Sequence, residues 1–348
     1  MQIKRIHQQY HQYYPVLFFV LGFVFDVVTL GEIDDFSNTL SQTIFIIISA
    51  GLLKFELTNS SQIGKNTFSQ FINKYHTEIL HFCFGSLLNT YMLFYLKSSS
   101  LATSAVFLIM LCTLIIANEM DYFKKIGVSI RVILFSICLF SFFIAQLPLL
   151  IGTANSWIFF LSAILTSCTF YLIFKLFINQ KMILHPHLAT VLLFIALYLF
   201  KIFPPLPLAI KSIYVFKKVE KSKSGYIATS EKPWWKFWQA GDQDYFYAPG
   251  DRVFVFTSVF APGGYSGQIQ MKWQKKVNSE YQNSDTIPLV LIGGRREGFR
   301  GYSYKQTVTP GDWRVLVETP SGHEIGRINF EIISRNNHQN FEIKTIEL

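Results

Sequence analysis

Residues 188–210 read LATVLLFIALYLFKIFPPLPLAI, and this stretch divides the chain in two. Before it, apolar runs recur with short polar breaks. After it, the chain turns polar, glycine-spaced and strand-like. A run of this length is sufficient to cross a bilayer, which takes about 20 apolar residues in helical form. Pro204, Pro205 and Pro207 lack the N–H that a continuing helix needs. The helix is therefore expected to end near Phe203, with the proline segment in the outer interface and Lys201 snorkelling outward. Whichever way this span points decides the compartment of everything after it.

Working outward, six further runs qualify as spans: residues 15–30, 40–57, 79–96, 101–117, 128–150 and 157–178. The first is short, carries Asp26 and has no small-residue cleavage site after it, so it reads as a span and not a leader. Of the 348 residues, 51% are hydrophobic and 15% charged, against about 25% charged in an ordinary soluble domain. The apolar excess is blocky, as in membrane spans. The net charge of +9 is concentrated in loops beside spans, which points to a membrane surface and away from nucleic acid. The lysines and arginines fall unevenly. Lys4, Arg5, Lys54, Lys65, Lys74, Lys124, Lys125, Arg131, Lys175 and Lys181 lie in or beside one set of loops, and only Lys97 in the alternate set. By the positive-inside rule the N-terminus is cytoplasmic, and seven spans place the C-terminal part outside. Lysines 211, 217, 218, 221 and 223 oppose this, but the rule weakens ahead of a translocated domain.

The expected architecture is an all-α membrane bundle of about seven transmembrane helices followed by a small all-β, sandwich-like soluble domain. Residues 1–210 form the bundle, 211–250 a polar linker, and 251–348 an extracytoplasmic β-sandwich. Period-two alternation marks the strands. Ile269, Met271 and Trp273 alternate with Gln270, Lys272 and Gln274. Trp313, Val315 and Val317 oppose Arg314, Leu316 and Glu318, and Ile328, Phe330 and Ile332 oppose Asn329 and Glu331. RVFVFTSVF and TIPLVLIGG are further candidates, with turn signals APGG, IGG, TPGD and TPSGH between them. The linker contains EKPWWKFW, whose Trp234, Trp235, Phe237 and Trp238 suit either the membrane–water interface or packing under the β domain.

Candidate functional residues are few. Polar groups inside spans are costly to place there and so mark candidate sites: Asp26, His81, Asn89, Asn118, Glu119 and Gln146. His81 and Asn89, eight apart, share a helix face in the middle to outer half of their span. They suit a proton or ion path, or plain interhelical hydrogen bonding. Glu119 is expected to pair with Arg131. Asp26, Glu32, Asp34 and Asp35 form an acidic cluster at the outer end of the first span, without the spacing of a calcium loop. In GGRREGFRGYSYK, residues 293–305, Arg295, Arg296 and Arg300 offer guanidinium groups suited to carboxylate or phosphate. Arg300, Tyr302 and Tyr304 share one strand face, either as a ligand platform or as structure, with Glu297 or Asp312 as ion-pair partner of Arg300. No phosphate loop, catalytic motif, metal set or cofactor signature is present. The four cysteines all sit in apolar runs, so no disulfide is expected in the β domain. The expected partners are the bilayer and an envelope protein, anionic lipid or cell-wall ligand.

WQKK, LIGGRREGFRGYSYKQ and PGDWRVLVETPSGHEIGRINFEI together resemble the bacterial domain of unknown function 2914. The resemblance runs on into the membrane half through GFVFDVVTLGEIDDFSN, HFCFGSLLNTYMLFYLKSSSL and ANE. It implies a bacterial, multi-pass inner-membrane protein with a C-terminal β-rich domain, and no particular reaction. It places Asp26, Asp34, Asp35, Asn118 and Glu119 in patterned segments. Two functions fit: a membrane-anchored extracytoplasmic binding or scaffolding module, or a membrane enzyme or transporter with an intramembrane polar site.

Overall fold

A computed structural model describes residues 31–58, 67–119, 127–177, 180–223, 225–293, 298–335 and 343–348. The chain divides into two compact units. The first holds six described helices: α1 (Phe36–Thr58), α2 (Thr67–Lys97), α3 (Leu101–Glu119), α4 (Val128–Ile151), α5 (Ser156–Phe174) and α6 (Lys181–Leu199). All six are long and apolar enough to cross a membrane, α2 over Lys74–Lys97. The expected span at 15–30 lies outside the described residues.

Five helices fall where the hydropathy put them. The last differs, since it begins at Lys181 and stops at Leu199, several residues earlier at both ends than expected. Pro186 lies inside it. The missing N–H leaves the Met182 carbonyl without its helical donor, and the Ser129 hydroxyl donates to that carbonyl at 3.3 Å. At the other end Lys201 takes a left-handed conformation, φ 58°. The amides of Ile202 and Phe203 turn back to the Leu197 carbonyl, a helix stop of the Schellman kind made without glycine. In the chain beyond, Phe203, Leu206 and Leu208 are buried.

Aromatic rings fill the bundle interior. Tyr95 meets Phe107 at 4.8 Å between centroids, Phe140 meets Phe194 at 4.6 Å, and Phe159 stacks on Tyr198 at 3.9 Å. Between helices without a hydrophobic drive from water, such close packing supplies much of the cohesion.

The second unit runs over Pro204–Leu348 and also includes the interhelical turns Lys97–Thr103 and Ile151–Ala154. It contains eleven described strands: β1 (Ala209–Phe216), β2 (Lys218–Lys221), β3 (Tyr226–Ser230), β4 (Asp244–Tyr247), β5 (Val253–Phe260), β6 (Ser266–Val277), β7 (Glu280–Ile292), β8 (Phe299–Lys305), β9 (Gly311–Glu318), β10 (Glu324–Ser334) and β11 (Lys344–Glu347). They make three sheets, ordered β1-β5-β8, β4-β10-β9-β6-β7 and β11-β3-β2. The expected linker is thus a correction: residues 209–247 supply four strands. The lysines that made it look mobile are partly tied down. Lys217 lies over the Tyr245 ring at 3.9 Å, donates to the Phe246 carbonyl and faces Glu231 and Asp251.

The predicted inward residues of β6, β9 and β10, Ile269, Met271, Trp273, Trp313, Val315, Val317, Ile328, Phe330 and Ile332, are all buried, but in β9 Leu316 and Glu318, expected on the open face, are buried as well. They pack with Val215, Val253, Val255 and Val259 of the smaller sheet in the main core. A second core on that sheet's other face joins Phe216, Phe254 and Phe256 to Val219 and Ala228. With both faces covered, β5 is buried at every residue, which is why its sequence is a continuous apolar run without alternation. Most pairings are antiparallel, but β4 runs parallel to β10. Pro288 is tolerated because β7 is an edge strand. Asn278 and Ser279, both with positive φ, make the two-residue turn between β6 and β7.

Candidate functional site

The bundle's polar residues meet one another. His81 on α2 and Asn118 on α3 are both buried. The His81 Nδ1 lies 2.8 Å from Asn118 Oδ1, and Asn118 Nδ2 donates to the His81 carbonyl at 3.1 Å. This two-bond link joins α2 to α3. Asn118 closes α3, seventeen residues from Leu101, so at about 1.5 Å per residue the pair lies roughly 25 Å from the Lys97–Thr103 turn. His81 therefore lies toward the end of α2 opposite that turn. Asn89 is buried on the same helix, two turns nearer that turn. Gln146 of α4 accepts from Thr39 of α1 at 3.1 Å. Arg131 pairs with Glu56 of α1, a partner that the sequence reading missed. The Glu119 side chain and Asp26 lie outside the described residues. Glu32 and Asp35 contribute backbone carbonyls to the turn that starts α1, where they cap amides of Asp35, Asn38 and Thr39. Among the described residues no three His, Cys, Asp or Glu side chains group as metal ligands.

In the β unit, Arg295 and Arg296 lie outside the described residues. Arg300, Tyr302 and Tyr304 do share one face of β8, and it is the face turned toward the second core. Arg300 Nη1 donates to the Leu348 carbonyl at 2.8 Å, and the Tyr226 hydroxyl donates to the Arg300 carbonyl at 3.2 Å. Tyr302 packs against Tyr226 and Phe254. Tyr304 is half exposed and stacks beside Phe254, with Arg252 over its ring. Asp312 belongs to Lys276, at 3.1 Å.

Two features escaped residue-by-residue reading. The first is Asp242, which is 3% exposed. Burial pushes its carboxyl up to about 6, against the lowering effect of the Ser230 hydroxyl, the Glu231 amide and Lys217. The second is a built aromatic loop. Trp234, Trp235, Phe237 and Trp238 are 79%, 51%, 84% and 62% exposed. Yet the loop beneath them is clamped. Lys232 Nζ donates to the Gln239 carbonyl at 2.6 Å, Lys236 pairs with Asp244, and Gln239 Nε2 donates to Asp244 at 2.8 Å. Burial works against ionisation of Asp244, but the Lys236 and Gln239 hydrogen bonds hold its carboxyl below the usual value.

Beside Trp238 opens a cleft of about 330 Å³ on the outer face of the five-stranded sheet. It is lined by the rings of Trp238 and Tyr281, by the largely buried Trp313 and Phe330, and by polar residues that include Gln239, Asp312, Asn329 and Glu331. Asp312 and Glu331 face each other across β9 and β10. The sequence signal for the cleft was split between EKPWWKFW and the outward residues of the alternating strands.

The strand registers fix where this cleft lies within the β unit. Glu324, at the start of β10, accepts from Ser100 of the first interhelical turn. The amide of Ser266, at the start of β6, donates to Gly152 of the second at 2.8 Å. Gly152 has φ 76°, and a Cβ there would come within 2.7 Å of the Gly264 carbonyl. The other end of β10, from Glu331, pairs with β4 beside the aromatic loop. Seven residues of extended chain separate the two ends, roughly 23 Å. On β1, Val215 bonds Ala240 and Asp242 at the base of the loop, six residues and roughly 20 Å from Ala209. Ile210, at the start of β1, lies against Gly326 near the start of β10, so both strands put the aromatic loop at the end of the β unit remote from the interhelical turns.

A bundle of apolar helices followed by a β-sandwich-like domain is the class of protein these features define. Residues 267–332, which span β6 to β10, match the family described as "Protein of unknown function (DUF2914)", and the C-terminal region carries that domain. The membrane-spanning character of the remainder is inferred from its helices. No curated protein matches the chain. Among solved structures, an immunoglobulin-like protein from Pseudomonas aeruginosa aligns over 36% of this chain and 96% of its own, at 11% identity and TM-score 0.23. A β-glucosidase from Listeria innocua in complex with gluconolactone aligns over 34% of this chain and 17% of its own, at 15% identity and TM-score 0.19. The alkylpurine DNA glycosylase AlkC from Pseudomonas fluorescens, bound to DNA containing an abasic site analog, aligns over 87% of this chain and 100% of its own, at 11% identity and TM-score 0.23. At such TM-scores none of the three bears on fold or function here.

Proposed function

We propose that the protein is a multi-pass bacterial inner-membrane protein whose helices anchor the β unit outside the cytoplasm, where it serves as a binding or scaffolding module for an envelope ligand. The observation that carries this reading is the clamped loop of four exposed aromatic residues at one end of the β unit. Rings held in water by a rigid loop suit recognition, because contact area is gained with little ordering of the chain. Orientation has its own support. Alternate crossing of a bilayer sets the α2–α3 turn, the α4–α5 turn and the segment after α6 on one side. These same three segments form one compact unit. That side is the one poor in lysine and arginine before the β domain, which the positive-inside rule assigns to the exterior. Against an intramembrane site stands the pairing of His81 with Asn118, Gln146 with Thr39 and Arg131 with Glu56. Polar groups in spans that bond each other act as interhelical glue.

Reporter fusions test this topology. Alkaline phosphatase fused after Leu348 is expected to be active, and fused after Lys125 inactive. The reverse pair of activities would overturn the orientation and, with it, the extracytoplasmic role.

A further inference from the structure

We propose that the cleft beside Trp238 is a saccharide-binding site, taking a short stretch of a neutral polyhydroxylated chain. The inference rests on the binding-module reading and supplies its ligand class. The cleft combines the two groups that sugars require. Aromatic rings offer flat apolar surface to the C–H face of a pyranose. Carboxylate and amide side chains accept from and donate to its hydroxyls. Trp238 at the rim and Tyr281 on β7 supply the rings. Asn329 and Glu331, both exposed on β10, and Asp312, exposed on β9, supply the polar groups.

The site is also fixed in advance, which lowers the ordering cost of binding. Gln243 is the clamp. Its side-chain oxygen accepts from the Ala240 amide at 2.8 Å, while its Nε2 donates to the Asn329 carbonyl at 2.7 Å. The aromatic loop is thereby tied to β10 at the residue that lines the cleft. Tyr281 is held by Arg314, whose guanidinium lies 3.9 Å from the ring centroid. That contact covers one face of the ring.

Charge decides between ligand classes. Asp244 and Asp312 are each matched by a lysine, Lys236 and Lys276. The cleft therefore presents no excess of cations for a phosphate or a polyanion, and much of its negative charge is already met. A neutral ligand with many hydroxyls fits this balance. A protein partner fits less well, since binding hot spots concentrate in well-packed apolar pockets that exclude water. This cleft is open, and most of its lining residues are polar. Its volume is at the low end of small-ligand sites, about 300–1,000 Å³, which in an open groove suits part of a longer chain. The location agrees: the cleft is at the end of the β unit remote from the interhelical turns, as reach toward an extended envelope polymer requires.

The test uses the full chain in detergent micelles, titrated with chitohexaose, cellohexaose and a soluble peptidoglycan digest while tryptophan fluorescence is followed. Saturable binding to at least one probe is expected. Trp238→Ala and Asn329→Ala should each weaken it by about tenfold or more, the loss of one good contact. Val290→Ala, exposed on β7 and outside both the aromatic loop and the cleft lining, should bind as the parent does. Far-UV circular dichroism on each variant reports folding. A folded parent that binds none of the probes overturns the proposal, and so does binding that Trp238→Ala and Asn329→Ala leave intact. Self-association of the parent that Trp238→Ala abolishes, without sugar binding, would assign the surface to a protein partner and likewise overturn it. None of these results depends on the reporter fusions, so a failed ligand class and a failed topology are told apart.

Discussion

The bundle interior and the loop 233–240 are both aromatic, yet their rings stand in opposite surroundings. Tyr95, Phe107, Phe140, Phe159 and Phe194 are buried against one another, and their contacts are the packing of the helices. Trp234, Phe237 and Trp238 are largely exposed and are carried by ion pairs and backbone hydrogen bonds beneath them. Polar groups reverse in parallel. In the bundle they are buried and bond each other; at the cleft they face outward. Composition alone is the same signal in both places. What separates cohesion from recognition is whether the structure turns the group toward its own chain or away from it.

Three substitutions probe this contrast, in descending order of expected effect. The largest concerns Arg131 and Glu56, both mostly buried. Glu56→Leu leaves a guanidinium without that carboxylate and should destabilise the bundle by about 3 kcal/mol. The double variant Glu56→Leu/Arg131→Leu should recover most of that loss. Unfolding in mixed detergent–SDS micelles reads both. If the double variant is no better than the single, the pair is not acting as internal structure.

Next comes Asp242. Its folded-state value near 6 lies above the ordinary value of 3.8, so the folded protein binds the proton more tightly than the unfolded chain does. Its contribution is most favourable below pH 4, falls as pH rises from about 4 to 6, and is flat above. The span is on the order of 3 kcal/mol. Asp242→Asn keeps the acceptor for Ser230 and the Glu231 amide. It should flatten that slope and raise stability at pH 8, as measured by the thermal transition of the β unit. An unchanged slope would show that Asp242 titrates normally.

The smallest effect is expected at Asn118→Leu. An interhelical hydrogen bond in a membrane averages about 0.6 kcal/mol, and the two bonds to His81 should cost little more than that. A near-silent result in stability together with unchanged growth or transport phenotypes fits glue. A loss of function without a loss of stability would reopen the reading of His81 and Asn118 as a working site.

Much of the fold is legible in the sequence, for reasons that differ by element. Five helices follow from apolar run length, and β6 and β10 from alternation, because each has one buried and one more open face; in β9 alternation is lost from Val315 onward, where residues 315–318 are all buried. Alternation fails for β5, which has no open face. The segment 211–250 misled because lysine density reads as solvent. Lys217 instead lies against Tyr245, Glu231 and Asp251. Asn118 stood out as a lone polar residue, but its link to His81 spans 37 positions and has no local signature. Period two alone puts Arg300, Tyr302 and Tyr304 on one face of β8, whereas the sheet of β2, β3 and β11 beside that face has no signal in its short polar segments. The cleft draws on a loop and on β4, β7, β9 and β10, so only its parts were visible: the tryptophans and the outward residues of two alternating strands.

The central claim is that this chain recognises its ligand at the aromatic end of the β unit while the bundle only holds it in place. Hydrogen–deuterium exchange on the full chain, with and without saturating amounts of whichever of the three saccharide probes binds, tests it most directly. Slowed exchange is expected at residues 233–240 and along 329–331, with no change around His81 and Asn118. Slowed exchange confined to α2 and α3, with 233–240 unaffected, would contradict it.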